Sequence, residues 1–194
     1  MATPSLYLAS RSPRRQALLH QIGIGYRLVT VSIDEARGPA EAPADFVCRM
    51  AMAKALAGAK RLGGAHAPVL GADTVVVVDG AVLGKPRAVC DARDQLARLS
   101  GRSHQVLSAV ALVAEHRAVR LSVSRVWFRA LTAIEIDRYC ATGEPLDKAG
   151  SYAIQGRAAL FIQRLEGSYS GVMGLPLFET GELLSEAGMA VLGK

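Results

Sequence analysis

The chain has 194 residues, 51% of them apolar and only 21% charged, which describes a globular chain able to bury one sizeable core and not a disordered one. No apolar window approaches the length of a membrane span. A net charge of +6 favours polyanionic partners without separating nucleic acid from nucleotides, and aromatic residues, at 5%, are thin for stacking single-stranded bases. Cys48, Cys90 and Cys140 are widely spaced with no CxxC, and His20, His66, His104 and His116 are scattered. Neither pattern fits a disulfide framework or a zinc site. Any metal is therefore expected to sit on oxygen ligands, which points to magnesium or manganese. No charged stretch precedes the first short apolar run, so the N-terminus does not read as a signal peptide, and the expected compartment is the cytoplasm.

The first element is a strand, Leu6-Tyr7-Leu8-Ala9, which runs into Ser10-Arg11-Ser12-Pro13-Arg14-Arg15 and the amphipathic stretch Gln16 to Ile22. This predicts a strand, a tight turn and a helix with Ser12 as N-cap and Pro13 at the first helical position. Two arginines in a first turn oppose the helix dipole at about a few tenths of a kcal/mol each. Serine hydroxyls, guanidinium groups and backbone N–H groups on one helix end make an anion site, and a bound phosphate would offset that repulsion. An ordinary solvated helix start is the plainer alternative. A second strand is expected over Tyr26 to Val31, followed by an acidic turn, Ser32-Ile33-Asp34-Glu35. Pro43 opens a long helix whose apolar face is Phe46, Val47, Met50 and Ala57, with Lys54 at its edge and Gly63-Gly64 at its end.

Val69 to Val78 reads as a buried strand, and Asp79-Gly80 as a hairpin turn into Ala81-Val82-Leu83. A helix is expected from Asp91 to Leu99, closed by Ser100-Gly101. Gln105 to Ala114 and Ala118 to Arg129 form a second hairpin, and Thr132-Ala133-Ile134-Glu135 is a capping box. Thr142 to Gly156 is polar and glycine-containing, as an exposed functional loop would be. Ala158 to Leu165 reads as a strand and Pro176 to Ala187 as a closing helix. The elements add up to an α/β or α+β domain with a mixed sheet and flanking helices, treated as one domain over 1–194. Strict βαβ alternation is missing, which argues against a Rossmann fold.

Asp73 interrupts an aliphatic run inside a strand, where an unpaired carboxylate would cost several kcal/mol. It must be paired, bound to metal, or at the mouth of a cleft. Glu35 and Asp34 follow a strand and could join it as oxygen ligands, although a lone Glu35 also reads as solvated. Gly80 to Pro86 invites a P-loop reading and fails it: the glycine spacing is one residue short, and Pro86 replaces the Ser/Thr. Lys85 can still neutralise a phosphate. Only five of the 23 basic residues are lysines (Lys54, Lys60, Lys85, Lys148 and Lys194), and three of them fall in segments that look like active-site loops. Acids that position a divalent ion and activate water, beside cations that offset leaving-group charge, suit phosphate-ester or anhydride chemistry.

In this order the motifs resemble the Maf family of nucleoside triphosphate pyrophosphatases over nearly the whole chain. They are Leu6 to Arg15, the turn at Glu35, Lys54, Gly71-Ala72-Asp73-Thr74-Val75, Lys85-Pro86, and Leu99-Ser100-Gly101 through His104. Asp147 to Gly156, Gly167-Ser168-Tyr169 and Gly174-Leu175-Pro176-Leu177 complete the set. The resemblance implies a two-lobed α/β fold around a cleft, shared with the inosine-triphosphate pyrophosphatase group. It also implies hydrolysis between the α and β phosphates, with a divalent metal, Mg2+ or Mn2+. By the same resemblance Asp73 is the proton acceptor and, with Glu35, a metal ligand. Ser12, Arg15, Lys54, Lys85 and Lys148 would bind phosphate. Arg14, Thr74 and Gln155 stand where the dTTP/UTP-hydrolysing branch has Arg, Thr and Gln, and where the 7-methyl-GTP branch has Trp, Gln and Glu. Lys148 after Asp147 matches the pyrimidine branch as well. An amide donor and acceptor on Gln155 suit the O4 and N3–H edge of uracil or thymine. One departure is Gly84 before Lys85, where some relatives carry a glutamate. The expected partner is a pyrimidine nucleoside triphosphate, with no stable nucleic acid and no membrane; a homodimer is compatible with this. A cell-division regulator or nucleotide-binding protein with little turnover, and a 7-methyl-GTP pyrophosphatase, are the rival readings.

Overall fold

A computed structural model of the chain describes residues 6–63 and 67–191; His66 and Lys194 lie outside them. In chain order the elements are β1 (Tyr7–Leu8), α1 (Pro13–Gln21), β2 (Arg27–Leu28), α2 (Pro43–Arg61), β3 (Val69–Val78), β4 (Ala81–Leu83) and α3 (Val89–Leu99). There follow β5 (Ser103–Val113), β6 (Arg117–Phe128), α4 (Ala133–Cys140), β7 (Ile162–Glu166), α5 (Tyr169–Met173) and α6 (Leu177–Glu186). The strands make a seven-stranded sheet in the order β2-β1-β3-β5-β6-β7, with β4 paired to β3. β1 runs parallel to β2 and β3, placing Tyr7 opposite Arg27 and Val69, while β3–β4 and β6–β7 are antiparallel. The sheet is mixed, as the hairpin-rich pattern predicts. Among the described residues no helix is long and apolar enough to cross a membrane.

The chain divides into two compact units. The first takes the described residues up to Asp73, Ser108–Ser122 and those from Gly174 onward. Helix α2 buries Phe46, Val47, Met50, Ala51, Ala55 and Gly58, a stripe at helical spacing. Ala57 is only partly buried, so Ala55 and Gly58 complete the face expected of it. Strand β3 lies hard against this helix at Gly71, where an added Cβ would stand 2.3 Å from the Ala51 carbonyl oxygen and 2.6 Å from the Ala55 nitrogen. Only glycine permits that approach. β2 is shorter than Tyr26 to Val31, since the regular ladder covers only Arg27–Leu28, both exposed at the sheet edge. A further bond from Val29 N–H to the Leu8 oxygen (3.0 Å) continues the extended contact for one residue.

The second unit takes Thr74–Leu107 and Val123–Met173. Asp79 (φ 50°) and Gly80 (φ 72°) both adopt the left-handed region, as a type I′ hairpin requires. The capping box is present: Thr132 Oγ1 accepts from Glu135 N–H, and the Glu135 carboxylate accepts from Thr132 N–H. The strand expected over Ala158 to Leu165 is divided. Arg157–Phe161 is a 3-10 turn and only Ile162–Glu166 is strand, because a three-residue period turns both Ala158 and Phe161 into the core. Helix α5 was not anticipated; Ser168 Oγ accepts from Gly171 N–H at 2.9 Å and starts it. Phe128, Tyr152, Phe161, Tyr139 and His104 pack edge to face at centroid distances of 4.9–6.0 Å.

His104 is 3% exposed, its Nε2 is 2.9 Å from Tyr152 Oη, and its Nδ1 is buried with no hydrogen-bond partner. Burial lowers its pKa from 6.5 to about 4. A group depressed in the folded state holds fewer protons there than in the unfolded chain. The stability it permits is therefore complete above pH 6.5 and is lost as the pH falls toward 4. The loss expected from this residue is about 3 kcal/mol. Urea unfolding at pH 7.5 and at pH 4.5 should show a visibly smaller drop for His104→Gln than for the wild type. Equal drops would remove His104 as the cause.

Candidate active site

The first unit gathers cations and carboxylates from four separated segments. Lys54, on α2, donates to Asp73 Oδ1 on β3 at 2.7 Å and pairs with Glu35 Oε1 at 2.8 Å. The Lys54 and Asp73 side chains are mostly buried, whereas Glu35 is exposed. The contact exists because Gly71, two residues before Asp73, lets β3 close on the turn of α2 that carries Lys54. Asp73 is thus paired, which meets the first of the three options open to it.

Arg15, in the first turn of α1, is held from two sides. Its Nε donates to the Gly174 carbonyl at 2.7 Å and its Nη1 to Ser10 Oγ at 3.2 Å. Burial lowers the Arg15 pKa from 12.5; attraction to Asp73 opposes this, repulsion from Arg14 adds to it, and Glu35 opposes it. The guanidinium stays charged at any working pH. Ser12 occupies the N-cap position expected of it, but its hydroxyl caps no helix N–H. Its own N–H instead donates to Ser10 Oγ at 3.2 Å. Ser10 and Gly174, neither of them marked by the sequence as a partner of Arg15, together seat its guanidinium.

The turn bearing Glu35 is clamped by residues that no local pattern marks. Asp34 Oδ1 accepts from Ala36 N–H at 2.9 Å, and Arg49 donates to the Ala36 carbonyl at 3.0 Å. Arg49 also grips both oxygens of Glu41, at 2.5 and 2.7 Å, and this holds the Glu41 carboxyl down at about 2.

Four expected site residues belong to the second unit. Thr74 follows Asp73 on β3 and is partly buried. Lys85 is exposed, next to Gly84, whose carbonyl accepts from Gly150 N–H at 3.2 Å. Lys148 donates to the Glu144 carbonyl at 2.7 Å and pairs with the Asp147 carboxylate. Gln155 is exposed as expected, but the segment before it is not: Ser151 to Ile154 are buried. Ser151 takes a left-handed φ of 60° and its hydroxyl donates to Gln95 Oε1 at 2.7 Å. Arg14 lies in the first unit, partly buried beside Arg15.

Glu35 and Asp73 converge on one ammonium group, so their oxygens also suit a hard divalent cation. Among the described residues no group of three or more His, Cys, Asp or Glu side chains is gathered for a metal. Magnesium does not need one, since one or two carboxylates plus phosphate oxygens and water complete its shell. The donor set fits the ion.

Residues 5–187 match the family described as "Maf-like protein", and the chain belongs to that family. A dTTP/UTP pyrophosphatase of Alkalilimnicola ehrlichii is 56% identical over 187 residues, covering 94% of this chain and 93% of its own. A dTTP/UTP pyrophosphatase of Methylobacillus flagellatus is 50% identical over 189 residues, covering 97% and 95%. A solved nucleoside-triphosphatase / dITP/XTP pyrophosphatase from Mycobacterium abscessus aligns with a TM-score of 0.41 and 21% identity. It covers 65% of this chain and 74% of that one.

Proposed function

We propose that this protein is a nucleoside triphosphate pyrophosphatase that hydrolyses dTTP and UTP to the monophosphate and pyrophosphate. The observation that carries the reading is the likeness, at 56% and 50% identity over nearly the whole length, to proteins named for that activity. In this reading Asp73 accepts the proton of the attacking water while Lys54, bonded to it at 2.7 Å, orients the carboxylate. Arg15, fixed by Gly174 and Ser10, presents a guanidinium to the phosphates. Ser12, Lys85 and Lys148 add phosphate contacts, and Arg14, Thr74 and Gln155 read the base. A divalent cation held by Glu35 and Asp73 would supply further charge neutralisation when bound. The partner is a small nucleotide, and a cytoplasmic setting goes with it.

A nucleotide panel with magnesium and with manganese, read by pyrophosphate release, tests the reading. High turnover of dTTP and UTP and poor turnover of 7-methyl-GTP are expected; a preference for purine triphosphates would overturn the pyrimidine assignment. Gln155→Glu should lower kcat/KM on UTP by about 5- to 150-fold. A carboxylate facing a base carbonyl leaves two acceptors unpaired, at about 1–3 kcal/mol. Because Gln155 is exposed, its replacement should leave the melting temperature within about 2 °C of wild type.

A further inference from the structure

We propose that Tyr139 and Glu144 form a bracket that positions Gln155, so that discrimination among pyrimidine bases depends on two side chains that do not touch the base. The inference rests on the base-reading role of Gln155 given above. Tyr139, on α4 and 4% exposed, donates its hydroxyl to Glu144 Oε1 at 2.8 Å. The same hydroxyl accepts from Ala153 N–H at 3.3 Å. The other oxygen of Glu144 accepts from Arg157 N–H at 3.2 Å. Ala153 and Arg157 lie two residues before and two residues after Gln155, so both flanks of its turn are tied to one tyrosine–carboxylate pair.

The turn also lies directly on the carboxylate. A Cβ added at Gly156 would stand 2.3 Å from Glu144 Oε1 and 2.7 Å from Oε2, so any side chain there would push the bracket open. Gly156 N–H closes the turn on the Ala153 carbonyl at 3.0 Å. Glu144 is itself fixed: Lys148 donates to its carbonyl at 2.7 Å, and its N–H donates to Thr142 Oγ1 at 3.2 Å. Thr142 Oγ1 in turn donates to the Tyr139 carbonyl at 2.7 Å, which closes a ring of bonds around the turn. Gln155 is exposed between two flanks that these bonds hold.

An amide selects a base only if its donor and acceptor are held in register. Uracil and thymine offer a carbonyl and an N3–H, whereas cytosine offers an amino group and a bare N3, the reverse order. An amide on a drifting backbone can shift until it satisfies either. The bracket fixes the backbone on both sides of Gln155, so its amide reaches the base from one anchored position, and discrimination follows from that placement.

The test compares kcat/KM for UTP and CTP in Tyr139→Phe and Glu144→Gln, each checked for folding by thermal melting. Each folded variant is expected to lower the UTP-to-CTP ratio by at least about threefold, as a weakened polar match would. In a Gln155→Ala background neither should change the ratio further, because the two sites act as one unit. A folded variant that leaves the ratio within about threefold of wild type overturns the proposal. So does an equal loss on both nucleotides, which a merely structural role produces, or a shift that persists in the Gln155→Ala background. If Tyr139→Phe does not fold, Glu144→Gln carries the same comparison from the surface side of the bracket. If Gln155→Ala itself leaves the ratio unchanged, the base-reading role of Gln155 is wrong and the bracket's function falls with it.

Discussion

Replacing Asp73 by asparagine is expected to lower kcat on dTTP and UTP by about 10²-fold or more in a protein that still folds. Asparagine keeps the shape of the side chain and an oxygen that can accept the 2.7 Å bond from Lys54. Lys54 also keeps its 2.8 Å ion pair with Glu35, so no buried charge is stranded and the fold has no reason to fail. What disappears is the negative charge that takes a proton and half of a carboxylate pair able to hold a cation. Steady-state pyrophosphate release, alongside a melting curve, separates these effects. Near-normal turnover in the folded variant would reduce Asp73 to an anchor for Lys54 and take it out of the chemistry.

The second large effect is expected at a residue with no chemistry of its own. Gly71→Ala inserts a Cβ at 2.3 Å from the Ala51 carbonyl and 2.6 Å from the Ala55 nitrogen, both backbone atoms of α2 that no rotamer change can move. Helix and strand must separate, at about 1–3 kcal/mol or more of folding stability. Separation also draws Lys54 away from Asp73, and a shift of about 1 Å in a catalytic constellation can lower turnover about 10²-fold. The expected result is a lower melting temperature together with a fall in kcat on dTTP and UTP alike, at a temperature where the variant is still fully folded. Full activity in the folded variant would show that the Lys54–Asp73 contact tolerates displacement.

Where sequence foretold structure, the signal was local. The ten-residue run Val69–Val78, the Asp79-Gly80 turn and the Thr132–Glu135 box each carry their geometry in consecutive residues, and each formed as expected. Lys54 and Asp73 were legible because a carboxylate in an aliphatic strand demands a partner, and the chain has few lysines to supply one. What stayed hidden depends on contacts distant in sequence. Nothing near Arg15 announces that a carbonyl 159 residues away will orient it. Nothing at Arg49 says that it will clamp the turn bearing Glu35. The segment before Gln155 looked like a solvated loop because glycine and serine read as polar. Burial of Ser151 and Gly150 instead follows from left-handed backbone that packs them inward, with an added Cβ at Gly150 only 2.7 Å from Val76. The pattern of 158–165 misled because Ala158 to Ile162 is a continuous apolar run, and periodicity alone does not divide such a run between a buried strand and a 3-10 turn.

The order in which the two units are threaded has a consequence for how the protein is made. The first unit uses the chain up to Asp73, then Ser108–Ser122, then the residues from Gly174 on, while the second is complete once Met173 has been added. On a ribosome the unit begun first is therefore finished last. Lys54 and Asp73 emerge early, but the Gly174 carbonyl that seats Arg15, and Leu183 and Leu184, buried on α6, arrive with the final turns of synthesis. Until then the first unit is incomplete, and apolar surface left open on a nascent chain invites aggregation. A stop codon ahead of Gly174 should release a chain that has every candidate acid and lysine of the site and lacks the carbonyl that seats Arg15.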